Sequence, residues 1–205
     1  MSLVLDQLLQ QTPHVWTGRQ LAPAPARDTH FRALNAMLPG HGWPLGALIE
    51  LVPQAEGIGE MQLLLPVLTQ LCREARDVVL VQPPHVPYPP ALVRAGLPLN
   101  RLLWVQAEQD AEARWAAEQT LREGFAGAVL LWSDCSREMA LRRLQVAARD
   151  SGSLAFLYRS PRYRPQASPA ALRLLLSAHP QGLQVEVAKT QGGRTGHIVI
   201  NPAIQ

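Results

Sequence analysis

From about residue 30 to residue 158 the chain alternates short, nearly all-apolar runs with longer amphipathic stretches, and this alternation limits its fold more than any other feature. The runs predict strands at 47–52 (ALIELV), 78–82 (VVLVQ), 102–106, 127–132 (GAVLLW) and 154–158 (LAFLY). Between them, apolar residues at helical spacing predict helices at 60–75, 90–95, 109–123 and 136–150. A strand apolar along its whole length must be covered on both faces, and strands separated by helices join through right-handed crossovers into a parallel sheet. The expected fold is α/β, a doubly wound and mostly parallel sheet. After the Pro- and Arg-rich segment 159–169 the style changes to ALRLLLSA, LQVEVAK and HIVIN with QGGR between the last two, which predicts a carboxy-terminal antiparallel extension.

Ahead of this core, residues 2–10 place Leu3, Val4, Leu5, Leu8 and Leu9 mostly on one face, a short helix that Ser2 can cap. Residues 12–29 carry Pro13, Pro23 and Pro25 and read as an extended linker. The expected organisation is therefore a helix and linker over 1–29 and a core domain over 30–205. A helix of about nine residues does not hold an apolar stripe in water unaided. Leu5 and Leu8, with Trp16 and Arg19 of the linker, are thus candidate contacts to a partner or to a second copy of the chain.

Composition excludes several classes. With 205 residues, 47% of them hydrophobic and 17% charged, the chain has enough apolar surface for one buried core and is too apolar to be disordered. No apolar run approaches the roughly 18 residues of a membrane helix, and MSLVLDQLLQQ lacks the basic flank of a signal peptide. The expected address is cytoplasmic, with no membrane contact. Cys72 and Cys135 have no CxxC spacing and the histidines form no i, i+4 pair, so no metal is expected.

A net charge of +3 is too mild to establish nucleic-acid binding by itself. Segment 159–169 nevertheless gathers Arg159, Arg162 and Arg164 around Tyr163, a set able to grip phosphates and stack a base. These four are the candidate contacts for weak, sequence-independent binding of single-stranded DNA; a solvated, Pro-stiffened loop is the other reading. Asp134 and Ser136 read as caps of helix 136–150, Cys72 as core, and Trp104 and Trp132 as packing residues.

The stretch LPGHGWPLGALIELVPQAEGIGEMQLLLPVL (38–68) resembles the opening of the RecA family, where a strand leads into a phosphate-binding loop and its helix. VLVQPPHVPYPPALVRAGLPLNRLLWVQ (79–106) resembles that family's second and third strands, and VAKTQGGRTGHIVINP (187–202) its carboxy-terminal strand and hairpin. Length, the segment VWTGRQLA (15–22) and the degenerate loop resemble ImuA, the SOS-associated partner of translesion DNA synthesis. That resemblance implies a RecA-like fold and an accessory role in DNA repair, DNA damage response and mutagenesis, through an ImuB-type Y-family-like protein and RecA. AGLPLNRLLWV (95–105) also resembles the SulA cell-division inhibitors, relatives of ImuA, and implies the alternative: binding to the FtsZ polymerisation surface.

A phosphate loop works because backbone N–H groups at a helix start cradle the phosphates, a lysine reaches them, and a Ser or Thr hydroxyl holds Mg²⁺. Here the loop runs over 53–60, from Pro53 through Gly57 and Gly59 to Glu60, and the only lysine of the chain is Lys189. A carboxylate beside a triphosphate is repulsive. The stretch QPPH (82–85) offers Pro84 where a water-positioning Glu is needed, and Asp134 alone remains as a Mg²⁺-supporting carboxylate. In the carboxy-terminal motif Lys189 is kept while Gln191 replaces the arginine that reaches a neighbour's nucleotide; Lys189 and Arg194 are candidate partner contacts. The expectation is a protein that is not an enzyme and takes no cofactor. Calorimetric titration with Mg²⁺ and ATP is expected to show no binding at micromolar concentration, whereas saturable binding lost on replacing Gly57 and Gly59 contradicts it.

Overall fold

The computed structural model describes residues 25–201. The helix expected at 2–10 and the contacts assigned to Leu5, Leu8, Trp16 and Arg19 lie outside them. In chain order the elements are β1 (Ala26–Arg27), α1 (Arg32–Asn35), β2 (Trp43–Pro44), β3 (Ala47–Pro53), α2 (Leu65–Arg73), β4 (Asp77–Val81), α3 (Pro89–Arg94) and β5 (Leu102–Val105). There follow α4 (Asp110–Glu123), β6 (Ala126–Trp132), α5 (Glu138–Ser151), β7 (Leu154–Tyr158), β8 (Leu172–His179), β9 (Gly182–Thr190) and β10 (Gly196–Ile200).

One mixed sheet has the order β10-β9-β8-β3-β7-β6-β4-β5. Every pairing from β8 to β5 is parallel, while β9 runs antiparallel to both β8 and β10. The mostly parallel α/β sheet expected from the alternation is therefore present. The expected extension differs in one respect: β8 completes the parallel sheet against β3, and only β9 and β10 reverse direction.

Period-two alternation divides the core. Ile49, Leu51, Val78, Leu80, Leu130 and Phe156 point to one face, where they meet α1, α2 and α3 through Leu34, Leu68 and Leu92. Leu48, Val79, Val81, Val129 and Leu157 point to the other, against Ala117 and Leu121 of α4 and Leu141 and Leu144 of α5. Trp43, fully buried, meets Phe156 edge to face at 5.3 Å and anchors the first cluster.

Three local expectations are corrected. Helix α2 begins at Leu65, not at residue 60, because Gly59 holds φ at +102° and Pro66 occupies the first helical turn, where a missing N–H does no harm. Helix α5 begins at Glu138 after Arg137, with no side-chain cap, so neither Asp134 nor Ser136 caps it. Residues 25–29, read as linker, belong to the fold: β1 pairs with β2, Arg27 meets Glu74 at 2.6 Å, and the fully buried Thr29 donates its hydroxyl to Asn35 Oδ1 at 2.7 Å.

The interior also holds a charged cluster. Glu50 of β3 is fully buried and receives Arg159 Nη1 at 2.5 Å and Arg173 Nε at 2.7 Å. Arg159 donates further to Cys135 O at 2.6 Å and Gln166 Oε1 at 2.7 Å, and Arg173 Nη1 to Arg164 O at 3.2 Å. Removing one member of such a set strands buried charge. Glu50→Ala is expected to lower unfolding free energy in urea by about 3–5 kcal/mol, with Arg159→Ala in the same range; a loss within about 0.5 kcal/mol, as at an ordinary surface site, would show that the cluster is not holding the fold.

Candidate functional site

After β3 the chain turns through the loop that the sequence likens to a phosphate cradle. Gly57 and Gly59 both have positive φ, +75° and +102°. A Cβ at Gly57 would meet nothing within 4 Å, so the glycine answers a backbone need and not a close approach. Glu60 folds back on this turn: its Oε1 accepts the Gly57 N–H at 2.9 Å, and its carbonyl accepts the Tyr158 hydroxyl at 3.3 Å. Burial, and secondly the Glu60 charge, push the Tyr158 hydroxyl well above the ordinary tyrosine pKa, so it remains a neutral donor.

The loop borders a cavity of about 630 Å³ over the carboxyl ends of β3, β6 and β7, the usual position of ligand clefts in open α/β sheets. Its wall includes Pro53, Glu60, Pro84, Trp132, Asp134 and Tyr158. Trp132 stacks on Tyr158 with ring centroids 4.6 Å apart. Asp134 accepts the Ser160 N–H at 3.0 Å and an Arg162 N–H at 2.7 Å, so the surviving carboxylate is tied to the neighbouring loop. The cavity wall carries four carboxylates: Glu56, Asp110 and Asp134 are held by His85, Arg114 and Arg162, and Glu60 has no ion-pair partner among the described residues, while the one cation of the wall, Arg159, shares Glu50 with Arg173. Glu60, folded over the turn without a cation of its own, would oppose a phosphate placed there.

The four nucleic-acid candidates are separated by burial. Arg159 is 2% exposed and lies in the Glu50 cluster, so its assignment as a DNA contact is corrected: its guanidinium is directed inward by a carboxylate and two carbonyl oxygens. Arg162 and Arg164 are exposed, yet each already pairs with a carboxylate, Asp134 at 2.7 Å and Glu186 at 3.1 Å. Tyr163 is half-buried beneath two guanidinium groups, Arg159 at 4.3 Å and Arg162 at 5.0 Å from its ring centroid. Lys189 lies across from Arg173 and donates to Ser168 O at 2.7 Å. Burial, then the Arg173 charge, lower its pKa from the usual lysine range. Arg194 is exposed in the turn between β9 and β10, its backbone N–H given to Met37 O at 2.9 Å.

Sequence reasoning missed the most exposed apolar region. Trp104, expected to pack, is 45% exposed because β5 is an edge strand bonded only to β4. Of the eleven large hydrophobic side chains exposed among the described residues, seven fall between 86 and 115: Val86, Tyr88, Val93, Leu99, Leu103, Trp104 and Trp115. Exposed large apolar side chains at a strand edge are candidates for contact with a partner. Strand position, which no local pattern reveals, decides it.

Fold and surface together define a mixed α/β protein with a mostly parallel sheet, an acidic cleft at its carboxyl edge and an apolar strand edge. A family model described as cell division inhibitor SulA matches residues 46–155. The cell division inhibitor SulA of Photorhabdus laumondii is 30% identical over 119 residues, covering 58% of this chain and 67% of that protein. The crystal structure of SulA from Pseudomonas aeruginosa, 28% identical, aligns over 55% of this chain and 97% of that one with a TM-score of 0.47. On the family model and the sequence identity, the chain belongs to the SulA cell division inhibitor family.

This overturns the translesion-synthesis reading and the ImuA assignment with it. Of the features that favoured ImuA, segment 15–22 lies outside the matched stretch and the degenerate loop 53–60 inside it; 95–105, which favoured SulA, also lies inside it. Among the described residues no helix is long and apolar enough to cross a membrane.

With each exposed guanidinium already holding a carboxylate, affinity of the 159–164 loop for single-stranded DNA is expected to be weak. Fluorescence anisotropy across a salt series should show a slope flattened by about 1.4 in Arg162→Ala/Arg164→Ala, two phosphate contacts' worth. An unchanged slope in that variant would remove the loop from any DNA contact.

Proposed function

We propose that this protein is a SulA-type inhibitor of cell division that acts by binding FtsZ and blocking its polymerisation, and that it performs no reaction of its own. The family match carries this reading, since residues 46–155 run from the approach to β3 into β7 and include the apolar edge at β5. A protein that works by contact needs exposed large apolar side chains, and Leu103 and Trp104, on the two faces of an edge strand, supply them. The loop without a lysine, with the Glu60 carboxylate folded over its turn, supports the non-enzymatic part, because phosphoryl transfer depends on cations placed around the phosphates. The helix-covered parallel sheet with its carboxy-terminal antiparallel pair supports a RecA-like, doubly wound core as the scaffold. The cytoplasm, where FtsZ assembles, is the compartment this reading requires.

Sedimentation of purified FtsZ tests it. Wild-type protein near equimolar ratio is expected to reduce pelleted polymer. The double variant Leu103→Ser/Trp104→Ala, altered only at exposed positions, is expected to keep its melting temperature while its affinity falls about 30-fold, the loss of one hot spot of about 2 kcal/mol. Polymer yield unaffected by the wild-type protein would overturn the proposal.

A further inference from the structure

The acidic cleft contains an unfinished arrangement of polar atoms. Three of its carboxylates are engaged at the rim: Glu56 with His85 at 2.8 Å, Asp110 with Arg114, and Asp134 with Arg162 at 2.7 Å. Glu60 is different. Its Oε1 accepts the Gly57 N–H, but Oε2 is buried and has no partner. Ser133, in the same wall and only 6% exposed, has a buried Oγ that is likewise without a partner. The Trp132–Tyr158 stack, with the ring planes 2° apart, lines the same cleft.

We infer that this cleft is a binding site for a small organic cation, a primary ammonium or guanidinium group carried on a short aliphatic chain. A buried carboxylate oxygen and a buried hydroxyl left unpaired are both costly, and a cationic group with several N–H donors has the chemistry to satisfy such acceptors. The cation is drawn to the indole face as well as to the carboxylate, and methylenes suit the proline-lined wall formed by Pro53, Pro84 and Pro161. A metal ion fits less well, because among the described residues no three His, Cys, Asp or Glu side chains are grouped to ligate one. An anion is opposed by the carboxylates. The cavity, about 630 Å³, lies in the range of small-ligand sites. This inference does not rest on FtsZ binding, since none of the polar atoms it uses belongs to β5.

Calorimetric titration of the full chain with agmatine, and separately with a capped Gly-Arg-Gly tripeptide, tests the site and its source. Saturable binding of agmatine is expected, weakened at least about tenfold by Glu60→Gln, which removes the charge-assisted bond. Ser133→Ala removes a hydroxyl that bonds to nothing in the protein, so it is expected to preserve the melting temperature and still weaken agmatine several-fold. Tighter binding of the tripeptide than of agmatine identifies a basic side chain of a protein as the natural ligand; tighter binding of agmatine identifies a free amine or guanidine. The inference is overturned if the wild-type protein binds neither probe saturably. It is equally overturned if Ser133→Ala and Glu60→Gln, both folded, bind agmatine as the parent does.

Discussion

Much of the molecule's carboxyl edge is organised around one carboxylate, Glu50, held without solvent between Arg159 and Arg173. Glu50 sits on β3, Arg159 just beyond β7 and Arg173 on β8, so the cluster crosses three adjacent strands at the point where the parallel sheet gains its last member. Taking three charges out of water is expensive, and Coulomb attraction offsets that only where geometry and extra hydrogen bonds are good. Here the extra bonds go to backbone carbonyls, Cys135 O and Arg164 O, and to Gln166, which in turn donates to Ser136 O. The cluster therefore fixes loops. It holds the β6–α5 connection and the 159–170 segment against the sheet, and these form one side of the acidic cleft.

The cleft beside that cluster combines a glycine turn with carboxylates. Gly57 and Gly59 form a left-handed turn between strand and helix, and Pro84 and Asp134 line the cavity beside it. Glu60 is folded across the turn and Asp134 is tied to Arg162, so the turn's own amide at Gly57 is already taken by a carboxylate. The same carboxylates, with an aromatic wall beside them, are suited to positive charge.

The strand and helix order was legible because burial on two faces leaves a strong periodic signal: β3, β6, β7, α4 and α5 lie within a residue or two of their expected positions. Legibility failed where the deciding contacts are remote in sequence. Arg159 looks like Arg162 and Arg164 in a basic loop, yet Glu50, 109 residues away, draws it inside. Trp104 looks like a core residue in an apolar strand, yet β5 has a neighbour on only one side. The resemblance that pointed to translesion synthesis drew on length, segment 15–22 and the degenerate loop, while the SulA match rests on the segment from 46 to 155.

The sequence by itself determined the α/β class, the parallel run of strands, the missing lysine in the phosphate loop and the glycine turn, because each depends on local periodicity or on residue identity at a short spacing. Only the tertiary structure decided that β8 joins the parallel sheet, that Arg159 is a buried structural cation, that Trp104 faces outward, and that Glu60 and Ser133 share one cleft with unpaired oxygens. Those four outcomes follow from strand order and from contacts between residues far apart in the chain. Local pattern carries no record of either.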